Sequence, residues 1–214
     1  MAQVPTGSTF YIASAYGSPK TTTIVSNASE AVVTSAGHGY SNGDVIEITS
    51  GWGRLNLRVF EISGVTTDTF KLTGQDTTST TYFPIGTGIG SCREVTTFTQ
   101  ITSVMNPASS GGDPKTVTYK FVESDVEFSI NDGFGATSYT MEIDADAVAS
   151  AGYVALKSLT EVQTTTCLKV VTRSGSRIYQ PCTVALNEAI RMQDGQINRV
   201  NCSFNGSNRL TRAS

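Results

Sequence analysis

The residues of this chain best able to do chemistry are three acids at alternating positions, Glu123, Asp125 and Glu127. On a period-two strand they share one face, while Val122, Val126, Phe128 and Ile130 share the other. Carboxylates in that pattern could ligate a metal, serve as glycosidase acids, or charge a wall that repels anions. Calcium loops place their oxygens on a tight turn with a glycine, not along a straight strand. Asn131-Asp132-Gly133 adds oxygen donors just beyond, which keeps calcium open. A solvated strand face is the default reading. A glycosidase needs its two acids on facing elements, and no second acid is evident.

The other chemically able residues weigh less. His38 is the only histidine and sits in Gly37-His38-Gly39, which reads as a backbone requirement of a turn rather than a triad base. No serine stands in a G-x-S-x-G elbow. Gly86-x-Gly88-x-Gly90 lacks the lysine of a phosphate loop and reads as a linker. Trp52 could stack on a sugar, but fits better as the anchor of a small core. Cys92, Cys167, Cys182 and Cys202 form no C-x-x-C pair and have no nearby histidine, so they read as free thiols and core filler in a reducing cytoplasm, with no metal site. No cofactor is expected.

Positioning these residues falls mainly to β-structure. The chain has 214 residues, 38% hydrophobic and only 15% charged, with a net charge of −3, so it folds and lacks the basic surface of a nucleic-acid coat. No run reaches the ~18 apolar residues of a membrane helix. The opening MAQVPTGSTFYIASA has neither the basic nor the apolar region of a signal peptide.

Thr9–Ser14 reads as a first strand, followed by a linker over 16–22. Ala31–Thr34, Val45–Thr49, Leu57–Ile62 and Thr69–Leu72 read as short strands of a small barrel or sandwich, with a loop over 75–90. Two long strands, Val95–Met105 and Lys115–Ile130, flank one loop formed by Asn106, Pro107, Ala108, Ser109, Ser110, Gly111, Gly112, Asp113 and Pro114. Tyr139–Ile143 leads into the single helix, expected from Asp144 as cap to Val162, with Val148, Ala151, Ala155, Leu159 and Val162 as its apolar stripe and Leu156 beside it. Thr166–Thr172, Arg177–Leu186 and Gln196–Phe204 close the chain before a polar tail, 205–214. Ile178, Cys182, Val184 and Leu186 share one face, as do Val200, Cys202 and Phe204. The fold class is mainly β with one flanking helix. Residues 1–22 and 92–214 form one unit, and 23–91 an insertion.

These residues resemble a known family. The opening MAQVPTGSTFYIA, the hairpin Val95–Ile130 with its glycine-rich loop, the junction EIDADAVASAGYVALKSL and the closing SRIYQPCTVALNEAIRMQDGQINRVNCSFNGSN are similar to the major tail tube proteins of long-tailed, non-contractile bacteriophages. The segment GHGYSNGDVIEITSGWGRLNLRVFEISGVTTDTFKL resembles a small β-barrel module inserted in other tail proteins and in ubiquitin-activating enzymes; with no adenylation domain here, no ubiquitin chemistry follows.

The resemblance implies a β-sandwich with one helix at its side and self-assembly into stacked hexameric rings. It implies a continuous β-barrel around a channel that holds the tape-measure protein and later passes viral DNA, without specific binding of either. Glu123, Asp125 and Glu127 would then face the lumen, where negative charge repels phosphates. The loop Asn106–Pro114 and both terminal arms would order between rings. Tail terminator and tail tip proteins would be partners, the virion tail the destination and the host cytoplasm the place of assembly. The competing reading is a carbohydrate- or surface-binding β-module of a tail tip or adhesin, with Trp52 as its platform.

Overall fold

The computed structural model describes residues 6–213. β1 (Thr9–Tyr16) alternates as its sequence requires, with Phe10 and Ile12 buried. The expected linker is shorter than its composition suggests, because Lys20–Thr22 forms β2. Then come β3 (Ile24–Val25), β4 (Val32–Thr34), β5 (Val45–Ser50), β6 (Arg58–Ser63) and β7 (Thr69–Leu72). Their apolar residues, among them Val33, Ile46, Ile48, Phe60, Phe70 and Leu72, pack around Trp52 in one core.

β8 (Gly90–Ile101) is an unbroken strand that pairs with β2 and β5 along its first half and with β1 along its second. It joins the early short strands to everything that follows. The strand expected to continue to Met105 breaks at Ser103, which takes a φ of 56°, and a new strand, β9 (Val104–Ser110), starts. The rest is β10 (Pro114–Tyr119), β11 (Phe128–Phe134), β12 (Ser138–Asp144), α1 (Ala151–Val162), β13 (Thr166–Val171), β14 (Arg177–Arg191), β15 (Arg199–Gly206) and β16 (Thr211–Ala213). The main sheet runs β3-β4-β7-β6-β5-β8-β1-β13-β14-β15-β12-β9, with β16 beside β14 and β2 beside β8. Cys182, Val184, Leu186, Val200, Cys202 and Phe204 share a second core with Tyr153 and Leu156 of the helix, on the faces the alternation predicts.

The helix starts later than expected. Asp144 finishes β12 opposite Arg199, and its carboxylate accepts the Asp146 N–H at 3.0 Å. Ser150 is the cap, accepting the Tyr153 N–H at 3.3 Å. An aspartate at the end of a strand has the same local signature as a cap; sheet pairing decides between them. The buried face is Gly152, Tyr153 and Leu156; Leu156 is buried beside the predicted stripe as expected, but the face is centred on it and Tyr153 rather than on the stripe itself. Ala155 and Leu159 reach the core in part, whereas Val148 and Val162 lie outside it, more than half exposed. Gly152 fixes the rotation: a Cβ there would sit 2.4 Å from the carbonyl of Gln100.

The polar tail is also more structured than its composition predicts. Thr211 and Ala213 are buried, and Thr211–Ala213 pairs with β14. Arg58 donates to Thr211 Oγ1 at 3.2 Å, and Asn208 donates to the carbonyls of Gly53 and Asn56 at 3.0 and 2.7 Å. A three-residue strand is too short to show a period, so only its partners reveal it. The far ends of both predicted arms, residues 1–5 and Ser214, lie outside the described residues.

A third cluster, Ala13, Val45, Val59, Val95, Cys167, Tyr179 and Ala213, lies between the two larger cores. Across the same junction Arg177 donates to Glu61 Oε1 at 3.0 Å and the Tyr179 hydroxyl donates to Glu61 Oε2 at 3.2 Å. On the neighbouring strands Arg93 and Glu47 form a 2.8 Å ion pair with Glu47 only 2% exposed. Burial pushes the Glu47 carboxyl above its ordinary range, against the pull of Arg93.

Candidate assembly surface

β10 and β11 form a two-stranded sheet of their own. Every residue of β10 is exposed, and all of β11 except Gly133. The register sets Val117 opposite Ile130 and Tyr119 opposite Phe128, so all four share one face. Phe121 folds back over them, its ring 5.3 Å from Tyr119 and 6.0 Å from Phe128, while Tyr119 stacks on Phe128 at 5.5 Å. The other face carries Thr116, Thr118, Ser129 and Asn131. The ribbon is therefore amphipathic, but its apolar face covers no core. Val117, Phe121 and Ile130 remain 53%, 53% and 56% exposed. Such a patch marks a surface meant for another molecule.

The three acids do not lie on either face. Residues 120–127 turn at the tip of the ribbon, where the Ser124 N–H donates to the Phe121 carbonyl at 3.1 Å and the Val126 N–H to Ser124 Oγ at 3.1 Å. Glu123, Asp125 and Glu127 belong to this turn, so the single strand Lys115–Ile130 is corrected to two strands and a tip. Alternating polarity across a short turn mimics a strand until the serine-anchored reversal is seen. Among the described residues no three His, Cys, Asp or Glu side chains converge to hold a metal.

The expected loop is likewise mostly strand. Asn106, Pro107, Ser109 and Ser110 belong to β9, paired with β12; Gly111, Gly112 and Asp113 make the connection; Pro114 opens β10. Gly111 and Gly112 have φ of +78° and +80°, and a Cβ on Gly111 would lie 2.0 Å from the Ala136 carbonyl. At this root the Gly135 N–H donates to the Asp113 carbonyl at 2.8 Å, and Arg209 covers the Phe134 ring at 4.3 Å.

One charged group escapes sequence reasoning. Arg191 and Arg199 face each other across β14 and β15. Glu142 pairs with both, accepting from Arg199 at 2.8 Å and Arg191 at 3.4 Å, and takes a third bond from Asn106 at 2.7 Å. The Asn106 amide, then the two guanidinium groups, hold its carboxyl below the ordinary carboxylate range. The signal was the pair of like charges, readable only once the register is known.

The remaining candidates are structural. His38 is fully buried, its Nδ1 accepts the Tyr40 N–H at 3.0 Å, and its ring stacks on Tyr40. Trp52 is 2% exposed, donates to the Pro84 carbonyl at 2.8 Å and meets Phe83 edge-on, so it offers no face to a sugar. A Cβ on Gly88 would come within 2.8 Å of the indole, and Gly90 opens β8; the expected linker is packing. All four cysteines are buried and free, and burial pushes Cys182 up to about 12.

Residues 50–214 match the family model described as "Phage tail tube protein, TTP". The chain belongs to the phage tail tube protein family. It is a structural tail tube subunit, mainly β, as the family and the fold together require. Among solved structures the subunit is similar to a chain in the tail of an empty gene transfer agent particle refined with C6 symmetry. That likeness has 11% identity and a TM-score of 0.45 and covers 55% of this chain and 87% of the other. A chain of the native gene transfer agent virion gives the same identity and TM-score, covering 55% of this chain and 89% of its own length. No curated protein sequence matches the chain.

Proposed function

We propose that this tail tube subunit closes into hexameric rings that stack into a tube for genome delivery, with no catalytic role of its own. The observation that carries the reading is the ribbon β10–β11, whose five large apolar side chains are left uncovered by their own subunit. In a protein built to meet copies of itself, the neighbour is the natural cover, and the contact closes by symmetry. The seven-residue strand β9, at the end of the main sheet, offers its outer edge for continuation into the next subunit.

On this reading, residues 1–22 and 92–214 form the wall, and 23–91 sit on the exterior. The connection and strand Asn106–Pro114 lie between rings. Glu123, Asp125 and Glu127 face the channel from the ribbon's tip, where carboxylates repel the phosphates of passing DNA and cannot replace its counterions. The tape-measure protein, tail terminator and tip proteins are the other partners, met in the host cytoplasm during assembly. A sugar-binding module loses its platform with Trp52 inside a core.

Negative-stain microscopy of purified subunits, alone and with a tail initiator complex, tests the assembly: rings or tubes of uniform bore are expected. Subunits that stay monomeric under every assembly condition would refute it. Lysine at all three tip acids should leave tubes intact and slow genome release; release at the normal rate would remove the acids from the channel.

A further inference from the structure

The arm joins the body through a break in one long hairpin. β9 pairs with β12 as far as Ser110 and Ser138, and β10 pairs with β11 from Pro114 and Phe134 onward. Between the two ladders lie Gly111, Gly112 and Asp113 on one chain and Gly135, Ala136 and Thr137 on the other. Gly111 and Gly112 are left-handed there, and the bond from the Gly135 N–H to the Asp113 carbonyl is the only backbone hydrogen bond across the break among the described residues. A glycine-rich joint tied once offers little resistance to bending.

A bracket from the body reaches past this joint. Arg209 lays its guanidinium over Phe134, the ribbon residue next to the break, at 4.3 Å. Both flanks of Arg209 are fixed. Before it, the Ser207 N–H donates to the Pro181 carbonyl at 2.9 Å, and the fully buried Gln180 side chain donates to the Asn208 carbonyl at 3.1 Å. The Asn208 side chain is spent on the carbonyls of Gly53 and Asn56. After it, Arg58 holds Thr211, and β16 joins β14. Arg209 itself is exposed and in no ion pair among the described residues. Arg58 is a like charge close by: burial first, and then Arg209, lower its pKa to about 10. That repulsion favours a guanidinium lying outward over the ring. A groove of about 550 Å³, lined by Ser109, Gly111, Gly135, Tyr139, Asn208 and Arg209, opens at the joint and leaves room for the arm to tilt.

We propose that Arg209 is a positioning residue for the arm: fixed to the body, it holds β10–β11 at one angle across the glycine joint. The proposal rests on the tube reading only for its consequence, that an arm already pointing one way loses less freedom when a neighbouring subunit takes it up. Through Asn208 the same bracket is tied to the bend that follows Trp52, so the early strands and the arm share one support.

The test uses full-length monomers, whose native thiols are all buried, spin-labelled at Val122→Cys on the exposed tip and Glu161→Cys on the helix. Double electron–electron resonance should give one narrow distance for this labelled parent. Arg209→Ala should broaden it and lower the ratio of held to tilted arms about two- to fivefold, the range of a single exposed cation–π contact. Arg209→Lys should restore part of the narrow peak. Phe134→Leu should match Arg209→Ala, and combining the two should add nothing. Melting temperatures should stay with the parent, and tube nucleation by Arg209→Ala should slow by at least the same factor. An unchanged distance distribution in Arg209→Ala, or a parent that is already broad, would overturn the proposal and leave the tube reading intact. Expected distance changes in a parent that forms no tubes would overturn the tube reading and leave the held arm standing.

Discussion

β14 and β10 show what neighbours do for a strand. In β14, Cys182, Val184 and Leu186 face a core closed by the helix, and Tyr179 faces β6 on the opposite side. β15, β13 and β16 supply its hydrogen bonds. β10 has one partner strand and no cover from the rest of the body, only Phe121 of its own tip folding back over it. Both strands alternate, and both carry large apolar residues. The body's residues are stabilised within one chain, whereas a two-stranded ribbon alone in water is marginal at best. The same chemistry therefore produces a fixed scaffold in one place and an unfinished surface in the other.

The sharpest way to break this comparison is to remove the arm's aromatics. Tyr119→Ser/Phe128→Ser should reduce tube formation at least about a hundredfold, because central aromatic anchors dominate interfaces. The subunit's melting temperature should move by less than about 2 °C, since exposed positions contribute little to folding. Sedimentation and thermal scans on one sample would check both. The reverse pattern belongs to the body. Phe204→Ala removes a fully buried ring and should cost about 3–5 kcal/mol in denaturant unfolding.

Arg93→Met should come next in size, at about 2–4 kcal/mol. Glu47 would be left buried without its partner, and the figure falls below that of a fully buried pair because Arg93 is about a third exposed. Ser150→Ala should cost about 1 kcal/mol through the lost cap, while Asp144→Ala should leave the helix start unchanged; helix-selective hydrogen exchange would separate them.

The smallest effect is electrostatic. The Glu142 carboxyl titrates below its ordinary 4.5 in the folded chain, so its contribution is complete above that value and is lost as pH falls through the depressed one. Hydrogen-exchange protection at β9 and at the outer end of β15, corrected for the intrinsic pH dependence of amide exchange, should fall as pH is lowered through the depressed Glu142 value. Glu142→Gln should abolish that pH step.

Much of the body is legible from residue order. Thr69–Leu72 forms as read, and Cys182, Val184, Leu186, Val200, Cys202 and Phe204 take the faces their alternation assigns. Local patterns misled where two structures share one signature. Glu123, Asp125 and Glu127 alternate with valines as a strand would, yet Ser124 anchors a turn. Asp144 precedes a helical stretch as a cap would, yet sheet pairing with Arg199 claims it. Composition made a tail of residues 205–214, yet Arg58 and β14 hold Thr211–Ala213 in place.

Residue types and spacing alone determined that this chain is mainly β, that it has one helix and several short early strands, and that Phe128 and Ile130 share an apolar face. Those properties are set by side-chain period and turn chemistry, which act over a few residues. Tertiary structure decided which helix face is buried, where the long hairpin splits, that Glu142 serves two opposed arginines, and that the arm stands uncovered. Each of these depends on contacts between residues far apart in the chain, where packing and pairing outweigh local preference.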